Sequence, residues 1–228
     1  MSSGTDAAEA RGYERKFVTE LSPQAITGLL RVHPAGFRRI YQPRTVNTLY
    51  LDDPLLLSYW DNAVGVSKRH KLRLRWYGEG VATRAVNLEL KEKQGYLRAK
   101  RVISLPAVRV GGEALDALPG VLKEANLDAN LRRLLLATRP VLLNRYRRAY
   151  YRSADARFRL TVDDAIQVRR ARGWRVEPWP RALPYRVVEL KYERAAAPFA
   201  AAIGQRFPFR LSRSSKYAVG VELLFDGV

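Results

Sequence analysis

The stretch that decides the fold is His70–Tyr77, which has the sequence HKLRLRWY. Its cations Lys71, Arg73 and Arg75 stand at alternating positions, and apolar residues occupy the positions between them. Successive side chains of a β-strand point to opposite faces, so these three cations would share one face. The stretch therefore predicts a strand with one apolar face and one strongly basic face.

Cations at alternating positions recur on both sides of this stretch. The further members are Lys16 after Glu14, Lys91 and Lys93 after Glu89, Arg98 with Lys100, Arg157 and Arg159 before Thr161 and Asp163, and Lys191 after Glu189. Short turns separate several of these segments, which favours antiparallel pairing of about eight strands. Amphipathic segments at 24–32, 55–60 and 131–136 predict helices that cover the apolar faces. The pattern predicts one α+β domain built on an antiparallel sheet or a closed barrel.

The composition excludes several classes of site. The chain has 228 residues, of which 47% are hydrophobic, and it contains no cysteine and two histidines, His33 and His70. These numbers allow a sizeable core but exclude a disulfide scaffold, thiolate zinc sites, a cysteine nucleophile and a histidine-rich metal site. Lys and Arg number 41 against 22 Asp and Glu, and the formal net charge of +19 indicates a polyanionic partner.

The first residues of the chain and its apolar runs indicate how the chain is divided into a tail and a domain. Residues 1–11 are small and polar, so we expect a disordered tail there and a single domain over residues 12–228. No apolar run resembles a signal peptide or a membrane span, so we expect a cytoplasmic protein without a membrane segment. The G-x-x-x-x-G-K-[ST] phosphate loop does not occur, which excludes a P-loop enzyme.

Helices on the apolar faces would leave the basic faces pointing into a common interior. Such an interior is tolerable if it contains water and holds an anion, and a linear polyanion such as polyphosphate or a nucleoside triphosphate suits it. Glu14, Glu89 and Glu189 share the basic faces, and carboxylates beside phosphates favour a bridging Mg²⁺ or Mn²⁺. Each acid can alternatively pair with a neighbouring cation. Both interpretations stay open for Glu14 and Glu89, and the metal is favoured for Glu189.

Seven motifs, in order, resemble those of the VTC domain, the catalytic module of vacuolar-transporter-chaperone polyphosphate polymerases in the triphosphate tunnel metalloenzyme superfamily. The matching stretches are Glu14–Phe17, Thr48–Asp52, Lys71–Gly78, Leu88–Lys91, Tyr146–Arg148 with Arg157–Asp163, Val188–Lys191 and Ser214–Tyr217. Together they extend over nearly the whole chain, from residue 13 to about residue 220.

This resemblance implies an α+β fold with an eight-stranded antiparallel β tunnel barrel and surrounding helices. It implies an ATP–polyphosphate phosphotransferase that moves the γ-phosphate of ATP onto a growing polyphosphate chain with Mn²⁺ or Mg²⁺. By matched position, Glu189 would hold the metal. The implied catalytic residues are Lys16, Arg73, Arg75, Lys91, Arg148 and Arg159, and the implied substrate-binding residues are Lys100, Lys191, Arg213 and Lys216.

The resemblance also implies partners and leaves alternatives. The partners are ATP, orthophosphate or pyrophosphate, and polyphosphate, with no obligatory nucleic acid. The sensor and membrane segments that accompany the domain in its membrane complex are not found here, so a membrane or regulatory partner would be a separate chain. Two other functions stay open: a tripolyphosphate or nucleoside triphosphate hydrolase, and a non-catalytic module that binds polyphosphate or nucleic acid. Arg147 stays open beside Arg148 as the inward-pointing residue.

Overall fold

One antiparallel sheet organises the chain, and its long strands follow the alternating segments of the sequence. The computed structural model describes residues 12–95, 97–112, 115–213 and 215–225. Its strands are β1 (Gly12–Thr19), β2 (Arg38–Asp52), β3 (Lys68–Tyr77), β4 (Ala82–Gln94), β5 (Leu97–Val110), β6 (Arg139–Arg152), β7 (Phe158–Arg172), β8 (Arg175–Val176), β9 (Arg181–Ala182), β10 (Arg186–Glu193) and β11 (Arg210–Ser212). They pair in the order β11-β1-β10-β7-β6-β2-β3-β4-β5, and β8 and β9 pair with β7.

This sheet confirms the predicted α+β class with antiparallel strands and surrounding helices, but the predicted strand number and closure are wrong. Over the described residues the sheet has eleven strands rather than eight, and it is open because its terminal strands β5 and β11 do not pair. The additional strands β8, β9 and β11 have two or three residues each. Segments this short carry no measurable alternation of polar and apolar residues, so sequence patterns do not reveal them.

Helices occupy connections between the strands. In the described ranges they are α1 (Pro23–Val32), α2 (Leu57–Val64), α3 (Leu118–Glu124), α4 (Ala129–Leu136), α5 (Ala197–Gln205), preceded by a 3₁₀ turn at Arg194–Ala196, and α6 (Lys216–Leu224). Ser22 caps α1, because its Oγ accepts the Ala25 N–H at 3.1 Å. Pro119 and Gly120 do not break α3. Both residues lie in the first turn of α3, where proline needs no partner for an N–H.

Some predictions fall outside the described residues. The expected tail over residues 1–11 and Ser214 of the last motif belong to this group, and the assignment of 12–228 to a single domain stays a prediction. Where the structure describes the chain, no helix has the length and apolarity needed to cross a bilayer.

Helices α1, α3, α4 and α5 pack on the apolar face of the sheet, as the sequence predicts for the segments 24–32 and 131–136. The prediction for the segment 55–60 is wrong, because Tyr59 of α2 packs with α6 against Tyr50, which shares the face of Arg73. The cluster under α3 and α4 includes Leu49, Leu74, Trp76, Leu88, Leu118 and Leu131. The cluster under α1 and α5 includes Phe17, Ile26, Leu30, Leu160, Leu190 and Ala200. Because the apolar strand residues of both clusters alternate with the cations, the cations point to the opposite face.

The sheet curls, so that its charged face encloses a space. Lys91 on β4 and Lys191 on β10 are five strands apart in the strand order, which corresponds to about 24 Å in a flat sheet. Lys191 is nevertheless among the groups that lower the pKa of Lys91, after Arg73 and burial, as expected for two ammonium groups that face one space. The segment before α6 also reaches across, because Lys71 Nζ on β3 donates to Ser215 Oγ at 2.8 Å.

A bulge on β7 changes which of its side chains face this space. Ala165 has φ +49°, and the pairing of β6 with β7 shifts register between Arg145 and Arg147. Asp163 and Ile166 therefore face the same side although they are three positions apart.

Candidate functional site

The space under the charged face is here called the basic interior. Its cations are Lys16, Lys71, Arg73, Arg75, Lys91, Lys100, Arg148, Lys191 and Lys216, and its acids are Glu14, Glu89, Asp163 and Glu189. The cations outnumber the acids, so the set carries a net positive charge. Mutual repulsion of this kind is relieved by water and by anions.

The Glu89 carboxylate forms ion pairs with cations of β3 and β5. Arg73 Nε donates to Glu89 Oε2 at 2.7 Å, and Arg73 NH2 lies 2.5 Å from the same oxygen. Arg75 NH1 is 3.6 Å from Oε2, and Lys100 Nζ is 3.8 Å from Oε1. Burial alone would raise the pKa of Glu89, but Arg73, Arg75 and Lys100 lower it to about 2. Of the two interpretations left open for Glu89, these contacts favour pairing with neighbouring cations.

Asp163 forms a second set of ion pairs, with Arg148 and Lys216, and it orients Arg148. The Asp163 carboxylate is fully buried and accepts from Arg148 Nε at 2.5 Å and from Arg148 NH2 at 2.7 Å. Lys216 Nζ lies 2.5 Å from Oδ2. Burial alone would raise the pKa of Asp163, but Arg148 and Lys216 lower it. The two-point pairing fixes the guanidinium of Arg148 inside the basic interior, whereas Arg147 is exposed.

Glu189 is surrounded by cations at longer distances. Lys16 Nζ and Lys216 Nζ lie 4.0 and 3.9 Å from its Oε1, and Arg148 NH2 lies 3.9 Å from its Oε2. These separations exceed hydrogen-bond length. Burial alone would raise the pKa of Glu189, but Lys216, Arg148 and Lys16 hold it well below its ordinary value. The carboxylate is therefore ionised at neutral pH.

The surroundings of Glu189 fit a metal ion that has one carboxylate ligand from the protein. Over the described residues, no three His, Cys, Asp or Glu side chains converge to hold a metal. Mg²⁺ and Mn²⁺ commonly take one or two carboxylates and complete their coordination with substrate phosphates and water. The ionised Glu189 can supply such a ligand. Glu14 contacts Lys16 Nζ at 3.4 Å on the same side.

Lys91 shows that water reaches the basic interior. Its side chain is solvent-exposed, yet its pKa lies well below the ordinary value because of Arg73 and because protein surrounds it. An ammonium group combines both properties when it faces a water-filled space lined by other cations. The cations would attract an anion into this space, where it would replace water.

Sequence reasoning missed Lys71 as a site residue. Its Nζ donates to Asn62 Oδ1 at 2.6 Å and to Ser215 Oγ at 2.8 Å. Burial, followed by the positive charge of Lys16, lowers its pKa to about 7. The signal was present in the sequence, because Lys71 shares the alternation of Arg73.

Helix α6 carries Lys216 into the basic interior and is anchored beside it. The Tyr217 hydroxyl donates to Asp52 Oδ2, and the Tyr217 ring stacks on Tyr50 with 4.9 Å between the centroids. The Asp52 carboxylate also accepts two backbone N–H groups at the start of α2, each at 3.0 Å. This anchor fixes where the Lys216 ammonium can lie.

One end of the interior is apolar. The side chains two positions along from the charged residues of β1, β10, β3 and β6 are Val18, Val187, Tyr77 and Tyr146. On β2, Val46 lies two positions from Thr48, which pairs with Arg75. They cluster with Ile166, Leu183 and Tyr185, and we call this set the apolar end. Its members Val46, Tyr146, Ile166 and Val187 are at most 3% exposed, so side chains fill the space there.

Two predicted residues lie apart from these groupings. Arg159 is exposed and pairs in register with Lys191. Arg213 is exposed in the loop between β11 and α6. In the described part of the chain, no ion pair joins either arginine to an acid of the basic interior. The structure brings the other predicted site residues together.

Sequence comparison associates the chain with one family model. The model of the VTC domain matches residues 13–225. A search among curated proteins finds no match.

Solved structures resemble this fold at low sequence identity. An adenylate-cyclase-like protein from Vibrio parahaemolyticus is 12% identical and matches over 91% of this chain and 97% of its own, with a TM-score of 0.50. The PH1819 protein from Pyrococcus horikoshii OT3 is 15% identical over 92% and 96% of the two chains, with a TM-score of 0.49. HpAC1 from Hippeastrum, an adenylyl-cyclase-like protein with a dominant triphosphatase activity, is 16% identical over 93% and 97%, with a TM-score of 0.48. The first likeness shows the fold alone.

Proposed function

Because the chain belongs to the VTC-domain family, we propose that it is a polyphosphate polymerase that transfers the γ-phosphate of ATP onto a growing polyphosphate chain. The observation that carries this proposal is the basic interior: cations from six strands and α6 line a space that water reaches, and the ionised Glu189 lies among them beyond hydrogen-bond distance of its nearest cations. A linear polyanion is the substrate that such a space fits best. Mn²⁺ or Mg²⁺ is the proposed cofactor.

The contacts described above support distinct roles for the cations. Phosphoryl transfer depends on positioning and on neutralising charge, and it requires no protein nucleophile. Arg73 and Arg75 offer guanidinium donors that match phosphate oxygens, and Glu89 holds Arg73 in place. Arg148 and Lys216, which are held by Asp163, would bind from the other side.

The remaining cations would bind the polymer along its length. These are Lys16, Lys91, Lys100 and Lys191 in the basic interior, with Arg159 and Arg213 as proposed contacts at its exposed rim. An oxygen of the terminal acceptor phosphate would attack the γ-phosphorus, the bond from that phosphorus to the bridging oxygen of the β-phosphate would break, and ADP would leave. Orthophosphate or pyrophosphate would start a chain. Holding acceptor and donor in line is the main catalytic task.

Glu189 is the proposed metal ligand. Its ionised carboxylate, which has no cation within hydrogen-bond distance among the residues that the structure describes, supports this role. When bound, the metal would neutralise charge on the phosphates. The surrounding Lys16, Arg148 and Lys216 would then bind phosphate oxygens rather than the carboxylate.

The central experiment measures products. Purified protein is incubated with ATP and Mn²⁺, polyphosphate is resolved on a stained gel, and ADP is quantified. We expect a ladder of polymer and a matching amount of ADP. Turnover that fails with every triphosphate and metal, together with tight polyphosphate binding, would reject the enzyme and leave the non-catalytic polyanion module.

A matched pair of variants tests Glu189 in the same assay. Glu189→Gln keeps the shape of the side chain but removes its charge, so we expect loss of metal-dependent turnover with polyphosphate binding retained. Glu193→Gln, on the exposed end of the same strand, is the control and should retain turnover. Normal turnover by Glu189→Gln would remove this residue from the metal site.

The apolar end favours a second candidate, a hydrolase of tripolyphosphate or nucleoside triphosphates. A charged polymer cannot pass through a dry cluster of apolar side chains without losing its hydration. A long product could therefore not thread out at that end, whereas a short substrate could enter and leave by the other. Free phosphate without polymer in the product assay would establish the hydrolase and overturn the polymerase.

A cytoplasmic location, a separate membrane or regulatory partner and independence from nucleic acid remain parts of the proposal.

A further inference from the structure

A cavity lies on the outer face of the sheet, away from the basic interior. Its volume is about 150 Å³, and its lining includes Asn47, Trp76, Leu143, Arg145 and Arg169. Trp76 and Leu143 belong to the core cluster under α3 and α4, so the cavity opens on the helix-covered side. The sheet separates it from the cations described above. We call it the outer cavity.

The charge of the outer cavity is positive. Arg145 lies beside Gln167 in the pairing of β6 with β7, and Leu143 lies beside Arg169. The two arginines are thus diagonal neighbours on one face, with about 7–8 Å between such positions. Arg145 NH2 is 3.8 Å from the rim residue Glu79, which is largely exposed. No carboxylate within the described residues pairs with Arg169.

Glycine turns form the opposite wall. The lining includes Gly78, Gly80, Gly111 and Gly112. Gly111 has φ +124°, and a Cβ there would lie 2.3 Å from Gly80 O. Only glycine permits this packing of the two turns, so main-chain groups line the wall at Gly80 and Gly111, and Val81 adds an apolar side chain. Asn47 Nδ2 donates to Gly78 O at 2.9 Å and fixes the first turn against the sheet.

We propose that the outer cavity is a second anion site, which binds a small phosphate-type oxyanion such as orthophosphate or diphosphate. Its volume is well below that of pockets for drug-sized ligands, which restricts the ligand to a small anion. Arg145 and Arg169 line the cavity from one sheet face, and guanidinium donors match the oxygens of a tetrahedral anion. The amide side chains of Asn47 and Gln167 add hydrogen-bonding capacity. Binding here requires neither ATP turnover nor the residues of the basic interior.

Residue-resolved NMR separates this site from the basic interior. The side-chain amide resonances of Asn47 and Gln167 are followed while orthophosphate, diphosphate or, as a carboxylate comparison, acetate is added at constant ionic strength. We expect saturable shifts with the two phosphate anions and none with acetate. The stronger of the two phosphate ligands identifies which anion the cavity fits. Shifts that do not saturate, or that acetate reproduces, would overturn the proposal.

Variants complete the test. Arg169→Gln should weaken phosphate binding by about tenfold, the value of one charge-assisted hydrogen bond. Arg31→Gln, an exposed arginine of α1, is the matched control and should leave the affinity unchanged. Val81→Trp fills the cavity without altering its charge, and it should abolish the shifts even if Arg169→Gln folds poorly. Unchanged binding by Val81→Trp would place the anion elsewhere. Synthesis of polyphosphate is measured separately, so failure of this site and failure of the polymerase proposal are distinguishable.

Discussion

Arg147 and Arg148 are neighbours in the chain with opposite environments. Arg148 pairs with the buried Asp163, and Arg147 is exposed. We expect Arg148→Ala to lower turnover by at least two orders of magnitude, because a substrate contact is lost and the partner carboxylate loses its main cation. The same change should cost roughly 3 kcal/mol in free energy of unfolding. Product formation and urea denaturation measure the two effects.

The control for this prediction is one position away. Arg147→Ala should change the free energy of unfolding by less than about 0.5 kcal/mol and leave turnover near that of the unmodified protein. Equal effects of the two substitutions would contradict the inward assignment of Arg148.

Lys71 should make the free energy of unfolding depend on pH. Its pKa is about 7 in the folded protein against an ordinary value of 10.5. Between these values the unfolded chain binds more protons, so the contribution of Lys71 makes stability rise with pH over this window. Below pH 7 both states are protonated, and the full penalty of burying the charge near Lys16 applies. Urea denaturation from pH 6.5 to 10 should show a shallower rise in Lys71→Met.

The exposed Lys123 supplies the comparison for this pH series. Lys123→Met should preserve the slope of the unmodified protein, because its side chain lies exposed in α3. A slope that Lys71→Met leaves intact would show that other groups, such as Lys91, carry the dependence.

Alternation predicted most inward-facing side chains, but it fails where the backbone departs from a regular strand. The positions of Arg73, Arg75, Lys91 and Lys191 follow from counting by twos. On β7 the same count misplaces Ile166 relative to Asp163, because Ala165 adopts a left-handed conformation in a bulge. Local sequence did not reveal this bulge. The contact of Lys71 with Ser215 joins residues 144 positions apart, and no local pattern indicates such a pairing.

At the scale of elements, α6 depends on one buried hydroxyl. Tyr217→Phe removes the hydrogen bond to the Asp52 carboxylate but keeps the stacking on Tyr50. We expect a loss of about 1.5–3 kcal/mol in free energy of unfolding, the usual range for a hydrogen bond to a charged group. Tyr13→Phe, on an exposed tyrosine, is the control. An unchanged urea midpoint for Tyr217→Phe would show that the anchor does not hold this helix.

The elements that sequence predicted correctly are those with long periodic patterns or clear caps. Strand β3, which contains His70–Tyr77, and helix α1, which contains the segment 24–32, belong to this group. Pro119 does not end α3, because proline interrupts a helix interior but is compatible with a first turn. The open sheet was unpredictable for a different reason: closure depends on the pairing of β5 and β11, whose sequence patterns are identical in a closed or an open arrangement.

At the scale of the whole molecule, the net charge of +19 makes salt a probe of where anions bind. We expect polyphosphate affinity to fall steeply with salt. Arg73→Ala should reduce the slope of log K against log salt by about 1, because one cation no longer releases a counterion on binding. Fluorescence anisotropy across a salt series measures the slope.

Binding of duplex DNA in the same salt series distinguishes the buried cations of the basic interior from cations on the protein surface. Binding of DNA should respond to salt but not to Arg73→Ala, because this arginine lies buried beneath the sheet surface. A DNA affinity that falls in this variant would instead favour the nucleic-acid-binding module.

The open sheet has a consequence for association between molecules. Because β5 ends the strand order, one side of its backbone has no strand partner among the described residues, and such an edge is a template for aggregation. Pro106 lacks an N–H, and a register shift between Arg84 and Val86 interrupts the neighbouring ladder. The exposed Arg109 adds a charge on the same strand. A second copy that approaches this edge strand therefore encounters an interrupted and charged set of hydrogen-bonding groups. The sequence of β5 thus disfavours edge-to-edge pairing with another molecule.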